Sequence, residues 1–182
     1  ISLVLTFIAS HAVQSNWSFY TMYKFNWTAE IVGYSLAVVG VLVAFVQGFL
    51  IRKIIPRLGQ VKSIYLGMSF SALGLLLFGL ASESWMMFAF LIPYCLGGIA
   101  GPSIQGVISS QVPANEQGEL QGALTSLMSL CGVFGPLLMT NLFAFATAKN
   151  STFHVPGAPF FLASCLTLVS FYLSYRTLSK KH

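Results

Sequence analysis

Four polar side chains recur within the first apolar stretch of the chain, and each can donate or accept hydrogen bonds. His11, Gln14, Ser15 and Ser18 are spaced i, i+3, i+4 and i+7, which stacks them on one side of a helix. Inside a membrane such groups are costly, and they usually face a bundle interior or a water-filled cavity. Bonds between helices would satisfy the two serines, and Ser18 is also retained as a candidate for the substrate path. The larger His11 and Gln14 favour the lining of a cavity.

Three further amides interrupt later apolar stretches. Gln47 and Gln105 lie near one end of the second and fourth stretches, and Asn141 lies towards the opposite end of the fifth. Each amide could line the same cavity, or it could bond to a neighbouring backbone group. The sequence leaves both interpretations open.

Small residues are concentrated in two of the stretches. The run GGIAGP at 97–102 in the fourth stretch predicts close helix contact and a kink or break at its proline. The fifth stretch repeats small residues at three- and four-residue steps, which predicts a helix-packing seam. The residues of this repeat are Gly118, Gly122, Ser126, Ser129, Gly132 and Gly135.

No catalytic or cofactor constellation is visible in the sequence. His11 has no carboxylate, serine or cysteine partner at a known motif spacing, and the four acids are all glutamates. HExxH, P-loop and CxxC motifs do not occur. The net charge of +5 is spread over loops and forms no nucleic-acid-binding patch. The sequence therefore predicts no enzyme, no metal site, no cofactor and no nucleic-acid partner.

The composition indicates that the solvent of this chain is lipid. Its 182 residues are 56% hydrophobic and 7% charged, whereas soluble domains are roughly 25% charged. At about 20 residues per span, the length allows six transmembrane helices and no sizeable soluble domain. Lipid offers no partner to a free backbone group, so the spans must be helical.

We therefore predict an all-α membrane protein in which residues 1–182 form a single six-helix bundle. The chain begins at Ile1 inside an apolar run, which suggests part of a longer protein. The predicted spans are Ile1–Tyr23, Ile31–Ile51, Ser63–Ala81, Trp85–Ile108, Glu119–Thr147 and Gly157–Leu178.

The basic residues predict the orientation of these spans. Both termini share one side with the second and fourth loops, and this side holds Arg52, Lys53, Arg57, Lys62, Arg176, Lys180 and Lys181. The other side holds Lys24 and Lys149. The positive-inside rule makes the first side cytoplasmic. Trp17, Trp27 and Trp85 then lie near the outer interface, where aromatic belts occur.

Several motifs resemble those of the major facilitator superfamily. They include the run GYSLAVVG at 33–40, the Arg57-Leu-Gly59 loop, GGIAGPSIQG at 97–106, SQVPANEQGELQG at 110–122 and GVFGPLL at 132–138. The chain is most similar to the C-terminal six-helix half of the tetracycline-efflux branch, over nearly its whole length. The EQGELQG segment that leads into a membrane helix is fairly specific, whereas Arg-Leu-Gly alone would be a weak signal.

The resemblance implies half of a secondary active, proton-coupled exporter of small amphipathic molecules, which works by alternating access in the bacterial inner membrane. The first and fourth spans would border the substrate cavity, with contributions from the second and fifth. Its partners would be lipid, a small-molecule substrate and either the N-terminal half or a second copy of the chain. The candidates for a cytoplasmic gate are Arg57, Gly59, Glu116, Glu119 and Gln121. The alternative is a self-contained six-span protein that oligomerises as a channel or scaffold.

The sequence departs from the resembled branch at three positions. Val43 and Ser71 stand where those pumps often carry a membrane histidine and an aspartate, and Pro56 stands at an acidic position of the loop signature. The coupling groups expected from the resemblance are therefore missing from this half.

Overall fold

The computed structural model describes residues 1–148 and 154–178, all arranged as helices and short connections. Lys149, Lys180 and Lys181 of the orientation argument lie outside these residues. The helices are α1 (Ser2–Phe25), α2 (Ala29–Phe45), α3 (Ile51–Leu80), α4 (Ser84–Leu96), α5 (Ala100–Ser109), α6 (Gln117–Thr147) and α7 (Ala158–Leu178). A π-helical turn (Val46–Leu50) joins α2 to α3, and 3-10 turns at Gly97–Ile99 and Ala114–Glu116 precede α5 and α6.

Within the described residues, four continuous helical segments are long and apolar enough to cross a membrane. They are Ala29–Leu80, Ser84–Ser109, Ala114–Thr147 and Ala158–Leu178. The first segment has 52 residues and is divided at Gly59, whose φ of 79° and ψ of 164° are not helical. α1 has 24 residues and is long enough to cross a membrane, but its polar face lowers its mean hydropathy, so it is not among these four segments. The all-helical membrane fold is confirmed, and each predicted span corresponds to helical structure.

The break predicted in the fourth span is confirmed. The helix tightens to a 3-10 turn at Gly97–Ile99 before α5 begins. Pro102 lacks the N–H that would bond to the carbonyl of Gly98, which removes one α-helical hydrogen bond at this turn. The π turn at Val46–Leu50 contacts the 3-10 turn. The two irregular turns therefore lie against each other.

The helices pack around two apolar clusters, one at each end of the bundle. α1 contacts α6 and α7, and α3 contacts α7, α4 and α5. The larger cluster includes Tyr20, Phe78 and Phe160, and the smaller includes Ile64 and Met68. Polar groups join the helices directly. The hydroxyl of Tyr20 donates to the carbonyl of Phe78 at 2.7 Å.

The prediction of a packing seam along α6 is wrong for most of the repeat within this chain. A Cβ added at Gly118, Gly122 or Gly132 would meet no atom within 4 Å, and both serines of the repeat are exposed. Gly135 alone packs closely, against the ring of His11. The buried stripe of α6 runs through Leu124, Cys131, Gly135, Met139 and Ala146, so Gly135 is the one residue of the repeat that lies on it.

Two of the three tryptophans of the predicted outer belt are buried in the bundle, and the depth of all three in the membrane stays a prediction. Trp17 and Trp27 lie inside the bundle at 3% and 5% exposure, whereas Trp85 is exposed. A buried indole needs a partner for its N–H. Trp17 donates to the hydroxyl of Ser35, and Trp27 donates to that of Ser84.

Candidate functional site

An open cavity of about 450 Å³ lies between α1, α2 and the broken α4–α5 helix. Its sides are formed by α1, the π turn and the 3-10 turn, and α3 closes its back. The polar lining residues are Thr6, Ser10, Gln14, Gln47, Ser71, Tyr94, Gln105 and Thr167. Irregular backbone inside a membrane is tolerated where it lines such a cavity. The two irregular turns therefore coincide with this site.

The structure brings three of the predicted cavity residues together. Gln14 enters from α1, Gln47 from the π turn and Gln105 from α5. The amide nitrogen of Gln14 lies 3.5 Å from the hydroxyl of Ser10. The amides of Gln47 and Gln105 have no hydrogen-bond partner within the described part of the chain. They are therefore free to serve a ligand as donors and acceptors.

Among the residues that the structure describes, none that lines this cavity carries a formal charge. Val43 and Ser71, which occupy the positions of the expected histidine and aspartate, both line it. The wall thus offers amides, hydroxyls and apolar surface. This chemistry suits a neutral or zwitterionic amphipathic molecule that hydrogen-bonds through several groups.

The other three predicted cavity residues lie elsewhere. The ring of His11 packs against Gly135 of α6. Ser18, two turns further along α1, is half-buried and does not line the cavity. Asn141 lies in a separate apolar groove on α6, where its amide donates to the carbonyl of Leu137 at 2.7 Å. A role in the substrate path stays a prediction for all six residues.

The predicted gate residues lie at the opposite end of the bundle from Lys24. Gly59 is the hinge of α3, and Arg57 precedes it on the surface. Glu116, Glu119 and Gln121 are exposed around the start of α6. Among the described residues, none of these side chains forms an ion pair. Their role in gating stays a prediction.

Sequence reasoning missed the residue that organises the α5–α6 loop. The amide of Gln117 accepts from the hydroxyl of Ser109 and donates to the carbonyls of Ser109 and Val112, at 2.7–2.8 Å. One side chain thereby closes the loop that carries the gate candidates. Its place in the EQGELQG segment was the available signal.

Tyr94 was also missed, although its spacing indicates the site. Tyr94, Gly98, Gly101 and Gln105 follow one another at i, i+4, i+7 and i+11, and all four line the cavity. This spacing keeps them on one helical face. Counting back from Gln105 in steps of three and four residues would have identified Tyr94 from the sequence.

Comparison with known proteins identifies the family to which this chain is similar. Residues 1–182 match the sequence pattern of the Major Facilitator Superfamily. The class C tetracycline resistance protein of Escherichia coli is 38% identical over 151 residues, which are 82% of this chain and 38% of that protein. The class G tetracycline resistance protein of Vibrio anguillarum is 36% identical over 154 residues, 84% of this chain and 39% of that protein. The hippocampus abundant transcript-like protein 1 of Bos taurus is 25% identical over an alignment of 185 positions, which covers 94% of this chain and 37% of that protein. The chain thus spans well under half the length of these relatives.

Proposed function

The chain belongs to the Major Facilitator Superfamily, and we propose that it forms one half of a secondary active exporter of small amphipathic molecules. Its similarity to tetracycline resistance proteins makes tetracycline-like compounds the first candidate substrates. Transporters of this superfamily contain two parallel six-helix halves with the substrate site between them. The observation that carries the proposal is the open, uncharged polar cavity bordered by α1 and the broken α4–α5 helix.

The second half of the same transporter is the proposed partner. α2 and α6 expose large apolar side chains, including Val41, Phe45, Phe134 and Leu137. The small residues beside them allow the close approach of another helix. The superfamily match favours the missing half over a second copy, and it does not favour a self-contained channel or scaffold.

Transport assays on the full-length protein that contains this chain test the proposal. Everted membrane vesicles energised by respiration should accumulate tetracycline, and an uncoupler that collapses the proton gradient should release it. Vesicles without the protein provide the background. The proposal is rejected if tetracycline and a panel of other amphipathic drugs all remain at background.

Proton coupling is proposed to depend on groups outside this cavity wall. In the described part of the chain no carboxylate or histidine lines it, and Val43 and Ser71 occupy the positions of the expected groups. The other half of the transporter is therefore the proposed source of the coupling residues.

The orientation is proposed with both termini and the Arg57 loop in the cytoplasm of a bacterial cell. Single cysteines at Lys62 and Glu83 in a cysteine-free full-length variant should differ in labelling by an impermeant maleimide. In whole cells we expect position 83 to react and position 62 to stay protected until the membrane is permeabilised. The reverse pattern would overturn the orientation. The basic excess around Lys62 is the physical reason for this expectation.

A further inference from the structure

A second cavity, separate from the polar cavity between α1, α2 and α5, lies at the basic end of the bundle. It measures about 480 Å³ between the hinge of α3 and the last turn of α7. The lining residues are Leu58, Gly59, Gln60, Val61, Lys62, Tyr65, Tyr175 and Leu178. None of them takes part in the proposed substrate site.

The shape of this cavity follows from the α3 hinge and two tyrosines. The non-helical conformation of Gly59 separates the two parts of α3 and leaves space beside its second part. The rings of Tyr65 and Tyr175 lie 5.6 Å apart and form one wall, and Phe171 packs 5.6 Å from Tyr65. Tyrosines are favoured at membrane interfaces because the ring is apolar and the hydroxyl is polar.

The electrostatics of the cavity favour an anion. Lys62 is exposed at its edge, and none of the described residues that line the cavity is acidic. Within the described residues the Lys62 ammonium has neither an ion pair nor a hydrogen bond. By contrast, Lys53 on the same side of the membrane already stacks on the ring of Phe49 at 4.2 Å. Lys62 therefore remains available to an external negative group.

We propose that this cavity binds the phosphate headgroup of an anionic phospholipid. Lys62 would pair with the phosphate, and the hydroxyl of Tyr175 would donate a hydrogen bond to it. Leu58, Val61 and Leu178 provide apolar surface for the start of an acyl chain. Basic pockets between membrane helices commonly bind such headgroups. An apolar wall beside a cation favours a lipid over a free phosphate, which has no acyl chain to bury.

Native mass spectrometry of the full-length transporter in detergent tests the proposal. The purified protein is titrated with dioleoyl-phosphatidylglycerol or with dioleoyl-phosphatidylcholine. We expect tighter binding of the anionic lipid, and about fivefold weaker binding of it to Lys62→Gln, in line with the contribution of one basic residue at a membrane surface. Lys62→Arg keeps the charge and should bind as the wild type does. Arg52→Gln is the matched control, because it removes the same charge on the same side outside this cavity.

Three outcomes would overturn the proposal. The first is equal affinity for the anionic and zwitterionic lipids. The second is equal weakening in Lys62→Gln and Arg52→Gln, which would indicate a general surface charge effect. The third is displacement of the lipid by millimolar inorganic phosphate or glycerol phosphate, which would identify a site for a soluble phosphate.

Discussion

Gly97→Ala in the full-length transporter should strongly destabilise the fold. A Cβ at this position would lie 2.0 Å from the hydroxyl oxygen of Ser71 and 2.8 Å from its backbone nitrogen and Cα. The side chain can rotate away, but the backbone of α3 cannot yield without separating the helices. Overpacking of this kind costs about 1–3 kcal/mol. We expect a clearly lower melting temperature in detergent, as measured by differential scanning fluorimetry.

The neighbouring glycine provides a matched control for this substitution. A Cβ at Gly98 would meet no atom within 4 Å, and alanine also has the higher helix propensity. Gly98→Ala should therefore melt at or slightly above the wild-type temperature. Equal melting temperatures for the two variants would show that α3 and the 3-10 turn do not approach as closely as described.

Replacement of the cavity amides should reduce export with little effect on folding. Gln105→Leu and Gln14→Leu keep the approximate size of the side chain and remove its hydrogen-bonding groups. A neutral hydrogen bond contributes about 0.5–1.5 kcal/mol, so the double variant should lower kcat/KM for export about tenfold or more. The measurement is drug uptake into everted vesicles at matched protein levels, with the melting temperature recorded in parallel.

The corresponding change at Asn141 separates a cavity effect from a general loss of polarity. Its amide bonds to the carbonyl of Leu137 and lies in a different groove. Asn141→Leu should therefore export at nearly the wild-type rate. If Asn141→Leu is as defective as the double variant, the cavity is not the part of the surface that contacts substrate.

The sequence predicted the polar face of α1 but not the neighbour of each residue on it. His11 and Gln14 are three residues apart and share a face. Nevertheless, His11 packs against α6, whereas Gln14 lines the cavity. Periodicity gives the direction of a side chain relative to its own helix. The rotation of α1 relative to α6 depends on contacts such as that of Gly135, which is more than 100 residues away in the chain.

The sequence also does not show which neighbours the glycines and tryptophans have on other helices. Gly97 and Gly98 are equivalent in the sequence, and only the position of Ser71 distinguishes them. Tryptophan is common at membrane interfaces, which led to the predicted belt. The indoles of Trp17 and Trp27 instead donate to serine hydroxyls of other helices inside the bundle. In contrast, the break before Pro102 was predictable, because a missing N–H acts within one turn.

The absence of formal charge from the polar cavity has an electrical consequence. A membrane potential does about 2.3 kcal/mol of work on each elementary charge that crosses 100 mV. The wall formed by Gln14, Gln47 and Gln105 carries no such charge, so its reorientation during a transport cycle is electrically silent. Any voltage dependence of the complete transporter must then arise from the substrate, the coupling ion or charged residues beyond this wall.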